Sequence, residues 1–417
     1  MQKVKQIYQK YQVMIHNFSY LTILKGLTLV LPLITFPYLI QTLGANKYGL
    51  VMWAWAIAQI FIVFIKFGFD TLGVKLISEN RDNKQKVSQI FSQITYVKIG
   101  LILVSLMIFL GLFFTIDKIS LNQELFLYFS LFVLFESMLP IWYFQGIENM
   151  KIMAILVSSI KLIFALLVFV VIHDESQYLY IPILYAVGSF FSNIVAYYII
   201  MVKDKIKIVS IKIKETYSMI KESFYILFAT LGTVLRDRVT INLIEKYIGF
   251  EAVAYFDIAI KIVNILLTPF HIVSQVLYPH IVRTKDMILL RKVLFSSLLI
   301  SFVVVSLFIY NIELIVTLVN GKLNQDLVNI MSILIFIVPL GLVSLLGTDS
   351  ILIVHNKAIW VSYSMLIAIA TYGITFAFLT NENIMTYSML TIVFFITEML
   401  VRLIGVKIIL KKGKSND

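Results

Sequence analysis

The chain has 417 residues, of which 60% are hydrophobic and only 14% are charged, and its mean hydropathy is +0.93. A soluble domain carries roughly 25% charged residues, so this composition excludes a soluble globule. The net charge of +12 lies mostly between the apolar runs, which argues against a nucleic-acid partner, and the absence of cysteine excludes disulfides and thiolate metal sites.

Apolar runs of about twenty residues recur along the chain, and this is the length at which a helix crosses the hydrocarbon core of a bilayer. Helices satisfy their own backbone hydrogen bonds in lipid, so we predict an all-α membrane protein with about 12 transmembrane helices. In chain order, the predicted spans cover residues 18–43, 50–73, 94–116, 124–146, 151–172, 179–201, 223–247, 252–278, 292–318, 327–354, 358–379 and 385–409.

The charges of the connecting loops predict the orientation. With a cytoplasmic N-terminus, the outer loops hold only Lys47, Lys118 and Lys322, and most other basic residues lie in inner loops. The positive-inside rule therefore places both termini in the cytoplasm, and an even number of spans agrees. The basic run 205–214 in the longest inner loop either lies on the anionic inner leaflet or is simply solvated.

A weak internal repeat predicts two lobes. A shift of 205 residues aligns Gly44 with Gly249 and Ala54 with Ala259, and both stretches link the first two spans of their half. Six spans is an even number, so the halves would be parallel and related by an axis along the membrane normal. We therefore predict two six-helix lobes, residues 1–205 and 206–417, with the substrate path between them.

Isolated charges within the spans are the first candidates for function, because each costs about 2.5–3.5 kcal/mol at mid-bilayer unless it faces protein or water. Lys161 in the fifth span and Glu136 in the fourth have no opposite charge three or four residues away. Either the two pair across helices, or Lys161 is a free cation in a cavity. Lys25 and Lys98 are near enough to the inner face to reach the headgroups, although Lys25 can equally line a cavity.

Three further pairs of opposite charge are spaced four residues apart, so each pair shares a helix face and can neutralise itself. They are Lys66–Asp70, Asp257–Lys261 and Glu398–Arg402. We expect a structural role for the first pair. The other two are either structural pairs or part of a cavity lining.

Arg236, Asp237 and Arg238 lie midway along the seventh span. Consecutive helical residues point about 100° apart, so the two arginines face nearly opposite sides and one can face a central cavity. Basic residues outnumber acids within the spans, which favours an anionic substrate group such as phosphate. The candidate substrate-binding residues are therefore Arg236, Arg238, Lys161, Lys25, Lys261 and Arg402, with Asp70, Glu136, Asp237, Asp257 and Glu398 as balancing or coupling acids.

The sequence shows no catalytic constellation. Its five histidines have no metal-ligand spacing, and there is no glycine-rich nucleotide loop. We therefore expect a transporter that is not an enzyme and that uses no metal or cofactor. A membrane polymerase or lipid-sugar transferase usually needs a larger loop outside the membrane, and a structural scaffold would not require so many deep charges.

Five segments of the first half form an ordered set: the first span at 31–39, the Leu43-Gly44 and Tyr48-Gly49 turn, and the segments 67–70, 81–84 and 140–148. Together they resemble one known family, the Wzx-type polysaccharide flippases. The second half carries thinner similarity at Tyr255, Ala259, 261–262 and 278–279. The order and spacing of the segments together, rather than any one of them, carry the resemblance.

The resemblance implies the MATE-like (MOP) architecture in the bacterial cytoplasmic membrane. It also implies an undecaprenyl-diphosphate-linked oligosaccharide as substrate, moved between leaflets for capsule or O-antigen synthesis. The partners would be this substrate, membrane lipids and assembly proteins such as a polysaccharide polymerase. The family has no fixed catalytic signature, so no site residue follows from it. The alternative is a cation-coupled multidrug exporter of the MATE type, which would favour acids in its cavity.

Overall fold

The computed structural model describes residues 2–284, 286–349, 351–352, 359–378 and 383–414. Over these ranges the chain folds into helices and contains no β-strand. The all-α prediction is therefore confirmed. Long apolar helices are stable in lipid, because each one satisfies its backbone hydrogen bonds internally.

Sixteen α-helices of the described residues are numbered here in chain order. They are α1 (Gln2–Lys66), α2 (Phe69–Asn80), α3 (Lys84–Thr115), α4 (Asp117–Ser120), α5 (Gln123–Met138), α6 (Ile141–Gly146), α7 (Met150–Val171), α8 (Tyr180–Tyr198), α9 (Ile213–Tyr247), α10 (Phe250–Thr284), α11 (Met287–Tyr310), α12 (Ile312–Asn320), α13 (Gln325–Leu334), α14 (Ile337–Leu342), α15 (Ile359–Phe378) and α16 (Ile384–Lys414). A 3₁₀ turn precedes α8 at Glu175–Leu179, and π-helical turns follow α8 at Ile199–Lys203 and α14 at Val343–Asp349.

Within the described residues, nine helical segments are long and apolar enough to cross a membrane. The first of them, Val30–Asn80, begins within the predicted first span (18–43) and contains the whole predicted second span (50–73). The predicted seventh and eleventh spans coincide with α9 and α15, which are not among the nine. The total of about 12 crossings and the cytoplasmic position of both termini stay predictions.

Gly44 interrupts the long helix α1. Its φ of 72° and ψ of 160° lie outside the helical region, in a conformation that glycine adopts without steric cost. The break falls between the predicted first and second spans. Pro32 and Pro37 lie earlier in the same helix, and each removes one backbone hydrogen bond.

The chain forms two compact units. The first comprises Met1–Leu43 and Ala54–Leu231, and the second comprises Gly44–Trp53 and Gly232–Asp417. The short segment that follows Gly44 therefore packs with the C-terminal half of the chain. The six-helix lobes 1–205 and 206–417 are defined by membrane topology and stay a prediction.

Segments that carry the family resemblance hold the first unit together. Trp142 is 1% exposed, and a Cβ at Gly73 would lie only 2.7 Å from its ring. Gly146 packs in the same way, since a Cβ there would lie 2.6 Å from that of Ile77. These contacts hold the short helix α6 closely against α2. Trp142 and Gly146, which belong to the segment 140–148 that resembles the family, therefore have a packing role.

Candidate functional site: a polar cavity with an aromatic wall

The first unit contains a cavity of about 250 Å³. Four helices line it: α1, α5, α7 and α8. Its polar residues are Thr35, Gln59, Glu136 and Lys161. A concave site with an apolar wall and a few convergent polar groups is the usual form of a small-molecule site.

Glu136 and Lys161 both line this cavity, as members of α5 and α7. The Ser189 hydroxyl of α8 donates a hydrogen bond to Glu136 Oε2 at 2.9 Å. No ion pair joins Glu136 to Lys161 in the described part of the chain. The structure thus brings the two isolated charges to one site, as the sequence suggested, but as separate groups facing one space.

Aromatic rings form one wall of the cavity. Phe132 and Phe164 are buried, and each supports a ring that is half-buried. The Trp55 ring stacks on Phe132 with centroids 4.9 Å apart, and the Tyr185 ring stacks on Phe164 at 3.6 Å. The ring centroids of Trp55 and Tyr185 are also only 4.6 Å apart. The wall is therefore closely packed behind Trp55 and Tyr185, and these two rings are partly exposed.

The sequence reasoning missed Trp55, Gln59 and Tyr185. Trp55 and Gln59 are four residues apart on α1 and so lie on one helix face. That spacing was a usable signal, because a glutamine amide in an apolar helix needs hydrogen-bond partners. Ionisable residues alone do not reveal this pair.

Lys66, Asp70 and Lys98 form a second charged cluster in the first unit, and both lysines are near enough to Glu136 to interact with it electrostatically. The Lys66 and Lys98 ammonium groups lie 3.3 Å and 3.8 Å from the Asp70 carboxylate. Lys98 is only 2% exposed and also donates to the Ser137 carbonyl oxygen at 3.0 Å. The expectation that Lys98 extends to the headgroups is therefore wrong. The Asp70 carboxylate and the Ser137 carbonyl oxygen stabilise its charge instead.

Lys261 belongs to a network in the second unit. It forms an ion pair with Asp257 and donates to the Tyr48 hydroxyl at 3.0 Å. The Tyr48 hydroxyl in turn donates to Asp257 Oδ2 at 2.9 Å. Gly49, which follows Tyr48 in the sequence, lies in close contact with the start of α10, since a Cβ at this position would lie 1.7 Å from the Phe250 carbonyl oxygen. The network ties the segment after Gly44 to α10.

Arg402 and Glu398 form an ion pair within α16 of the second unit. Both side chains are buried, and the Arg402 Nε also donates to the Ser364 hydroxyl of α15 at 3.0 Å. The guanidinium thus links α16 to α15. Such a pair is costly to break, because the remaining charge would stay desolvated.

The remaining predicted residues are placed in less detail. The side chains of Lys25 and Arg236 lie outside the described residues. Asp237 and Arg238 are half-buried in α9. The Asn242 side-chain amide donates to the Arg238 carbonyl oxygen at 2.7 Å. Substrate contact by any of these four residues stays a prediction.

A family model described as "Polysaccharide biosynthesis protein" matches residues 14–285, which is more than half of the chain. The chain belongs to this family. The resemblance to polysaccharide flippases is thereby confirmed. The matched region contains the whole cavity of the first unit and the Asp257–Lys261 pair.

Two relatives of this polysaccharide biosynthesis protein are candidate O-antigen transporters. The one from Escherichia coli (strain K12) is 25% identical over 282 residues, covering 66% of this chain and 68% of the relative. The one from Shigella dysenteriae is 21% identical over 272 residues, covering 64% and 67%. Together with the apolar helices, they identify a multi-pass transporter of the inner membrane.

Solved structures with the same fold include a lipid II flippase, MurJ, in an inward closed conformation. It has a TM-score of 0.76 at 15% identity, covering 93% of this chain and 87% of the flippase. An inward-facing MATE family multidrug transporter of the MOP superfamily has a TM-score of 0.69 at 13% identity, covering 90% and 93%. At these identities the similarity shows the fold alone. The predicted MATE-like (MOP) fold is confirmed.

Proposed function

We propose that this chain moves undecaprenyl-diphosphate-linked oligosaccharide repeat units across the cytoplasmic membrane for the synthesis of a surface polysaccharide. The observation that carries the proposal is the family match over 14–285, in agreement with two O-antigen transporter relatives. The multidrug-exporter alternative shares the fold but has no counterpart among these relatives. The chain would carry out no covalent chemistry.

The cavity supports this proposal through its chemistry. A multidrug exporter takes apolar cations, which would favour an acidic and otherwise apolar chamber. The cavity here combines Lys161, Glu136 and Gln59 with an aromatic wall, and these groups suit a ligand rich in hydroxyls. The partners in this proposal are the lipid-linked oligosaccharide, membrane lipids and a polysaccharide polymerase that receives the product.

Deletion of the gene in its native bacterium tests the proposal. We expect loss of a surface polysaccharide and accumulation of its lipid-linked repeat unit on the inner leaflet, both reversed by the wild-type gene. Lys161→Gln should not restore export, although the protein reaches the membrane. Lys151→Gln is the matched control, because Lys151 lies on the same helix but is exposed and lines no part of the cavity. Normal surface polysaccharide in the deletion strain would overturn the proposal.

A further inference from the structure

The charges of the first-unit cavity are balanced. Glu136 contributes one negative charge and Lys161 one positive charge, and the other polar groups are neutral. A diphosphate in this space would meet one ammonium group and would be repelled by the Glu136 carboxylate. A neutral ligand meets no such penalty. It can donate to Glu136, accept from Lys161 and do both with the Gln59 amide.

The aromatic wall selects the shape of that ligand. Trp55 and Tyr185 offer accessible ring surface, while Phe132 and Phe164 behind them hold the rings in place. The negative face of an aromatic ring attracts the positive edges of C–H groups. A sugar ring has such C–H groups on its faces and hydroxyls around its rim. It can therefore pack on the wall and hydrogen-bond to the polar groups at the same time.

The volume limits how much of a substrate enters. A volume of about 250 Å³ lies just below the range of about 300–1,000 Å³ that is typical of small-molecule sites, which suits one sugar ring rather than an oligosaccharide. We propose that this cavity binds a single neutral sugar ring of the lipid-linked substrate, with the diphosphate outside it. The inference rests on the proposed function and adds to it the position and chemical class of one bound group.

Binding by the purified full-length chain in lipid nanodiscs tests the inference. The probes are undecaprenyl diphosphate, the same lipid carrying N-acetylglucosamine, and the same lipid carrying glucuronic acid. We expect Trp55→Ala and Glu136→Gln each to weaken binding of the N-acetylglucosamine lipid at least tenfold. Binding of bare undecaprenyl diphosphate should change less than twofold. Trp55→Phe keeps an aromatic surface and should retain most of the affinity.

Phe191→Ala is the control for loss of an aromatic side chain, because Phe191 is exposed on α8 and does not line the cavity. Equal weakening for the bare and the glycosylated lipid in Trp55→Ala would overturn the inference. So would tighter binding of the glucuronic acid lipid than of the N-acetylglucosamine lipid by the wild type. No binding of any of the three lipids by the wild type would instead refute the proposed function. Binding of methyl N-acetylglucosaminide, weakened by Trp55→Ala, would then still support the cavity assignment.

Discussion

Replacement of Arg402 by alanine would leave the Glu398 carboxylate buried without its cationic partner. The two side chains are 8% and 9% exposed, and Arg402 also holds the Ser364 hydroxyl of α15. Removing one partner of a buried ion pair costs about 3–5 kcal/mol, because the other charge stays desolvated. We therefore expect Arg402→Ala to lower the free energy of unfolding by about 3–5 kcal/mol.

Two further variants test whether the loss of stability comes from the buried, unpaired charge. The double variant Glu398→Leu with Arg402→Leu replaces both charges by apolar groups, and such exchanges are often neutral or stabilising. It should recover most of the lost stability. Lys75→Ala breaks an exposed pair with Glu222, whose side chains are 57% and 49% exposed, so it should cost at most about 1 kcal/mol.

Chemical unfolding in detergent micelles, followed by tryptophan fluorescence, measures these differences. The reasoning would be refuted by an Arg402→Ala variant as stable as the wild type. If that variant were stable but unable to export polysaccharide, the pair would line a binding site instead of supporting the fold. The same measurement thus decides between the two roles that the sequence leaves open for Glu398 and Arg402.

Two other predictions concern the segment that follows Gly44. Tyr48→Phe removes the hydroxyl that bonds to both Asp257 and Lys261. We expect the free energy of unfolding to fall by about 1–3 kcal/mol in the same assay, because the Asp257 carboxylate loses a buried donor. An unchanged unfolding midpoint would contradict the network. Gly49→Ala places a Cβ against the Phe250 carbonyl oxygen, so we expect a loss of about 1–3 kcal/mol or more and a poor yield of folded protein. A wild-type yield and midpoint would show that α10 can move away at little cost.

Most of the helical architecture could be predicted from the sequence, because lipid leaves the backbone few alternatives. The pair Glu398–Arg402 was also predictable, since partners four residues apart meet on one helix whatever the fold. Lys66 and Asp70 do form an ion pair, but they do not share a helix face as predicted, because Lys66 ends α1 and Asp70 lies in α2, with positive φ at Phe67 and Gly68 between them. The break at Gly44 falls where the apolar runs separate.

The contacts between distant helices could not be predicted in this way. The second lysine on Asp70, Lys98, comes from α3, and its burial contradicted the expected extension to the headgroups. The hydrogen bond from Ser189 to Glu136 and the stack of Tyr185 on Phe164 likewise depend on tertiary packing. No periodicity within one helix encodes such contacts, so the cavity wall emerges only from the fold.

Movement of a labelled lipid between leaflets tests the central claim most directly. The purified chain is placed in liposomes that contain a fluorescent undecaprenyl-diphosphate-linked saccharide, and a membrane-impermeant quencher reports the fraction exposed outside. We predict that the protein equilibrates the two leaflets within minutes, and that Lys161→Gln slows this while Lys151→Gln does not. Exposure no faster than in protein-free liposomes, with correctly folded protein present, would contradict the account.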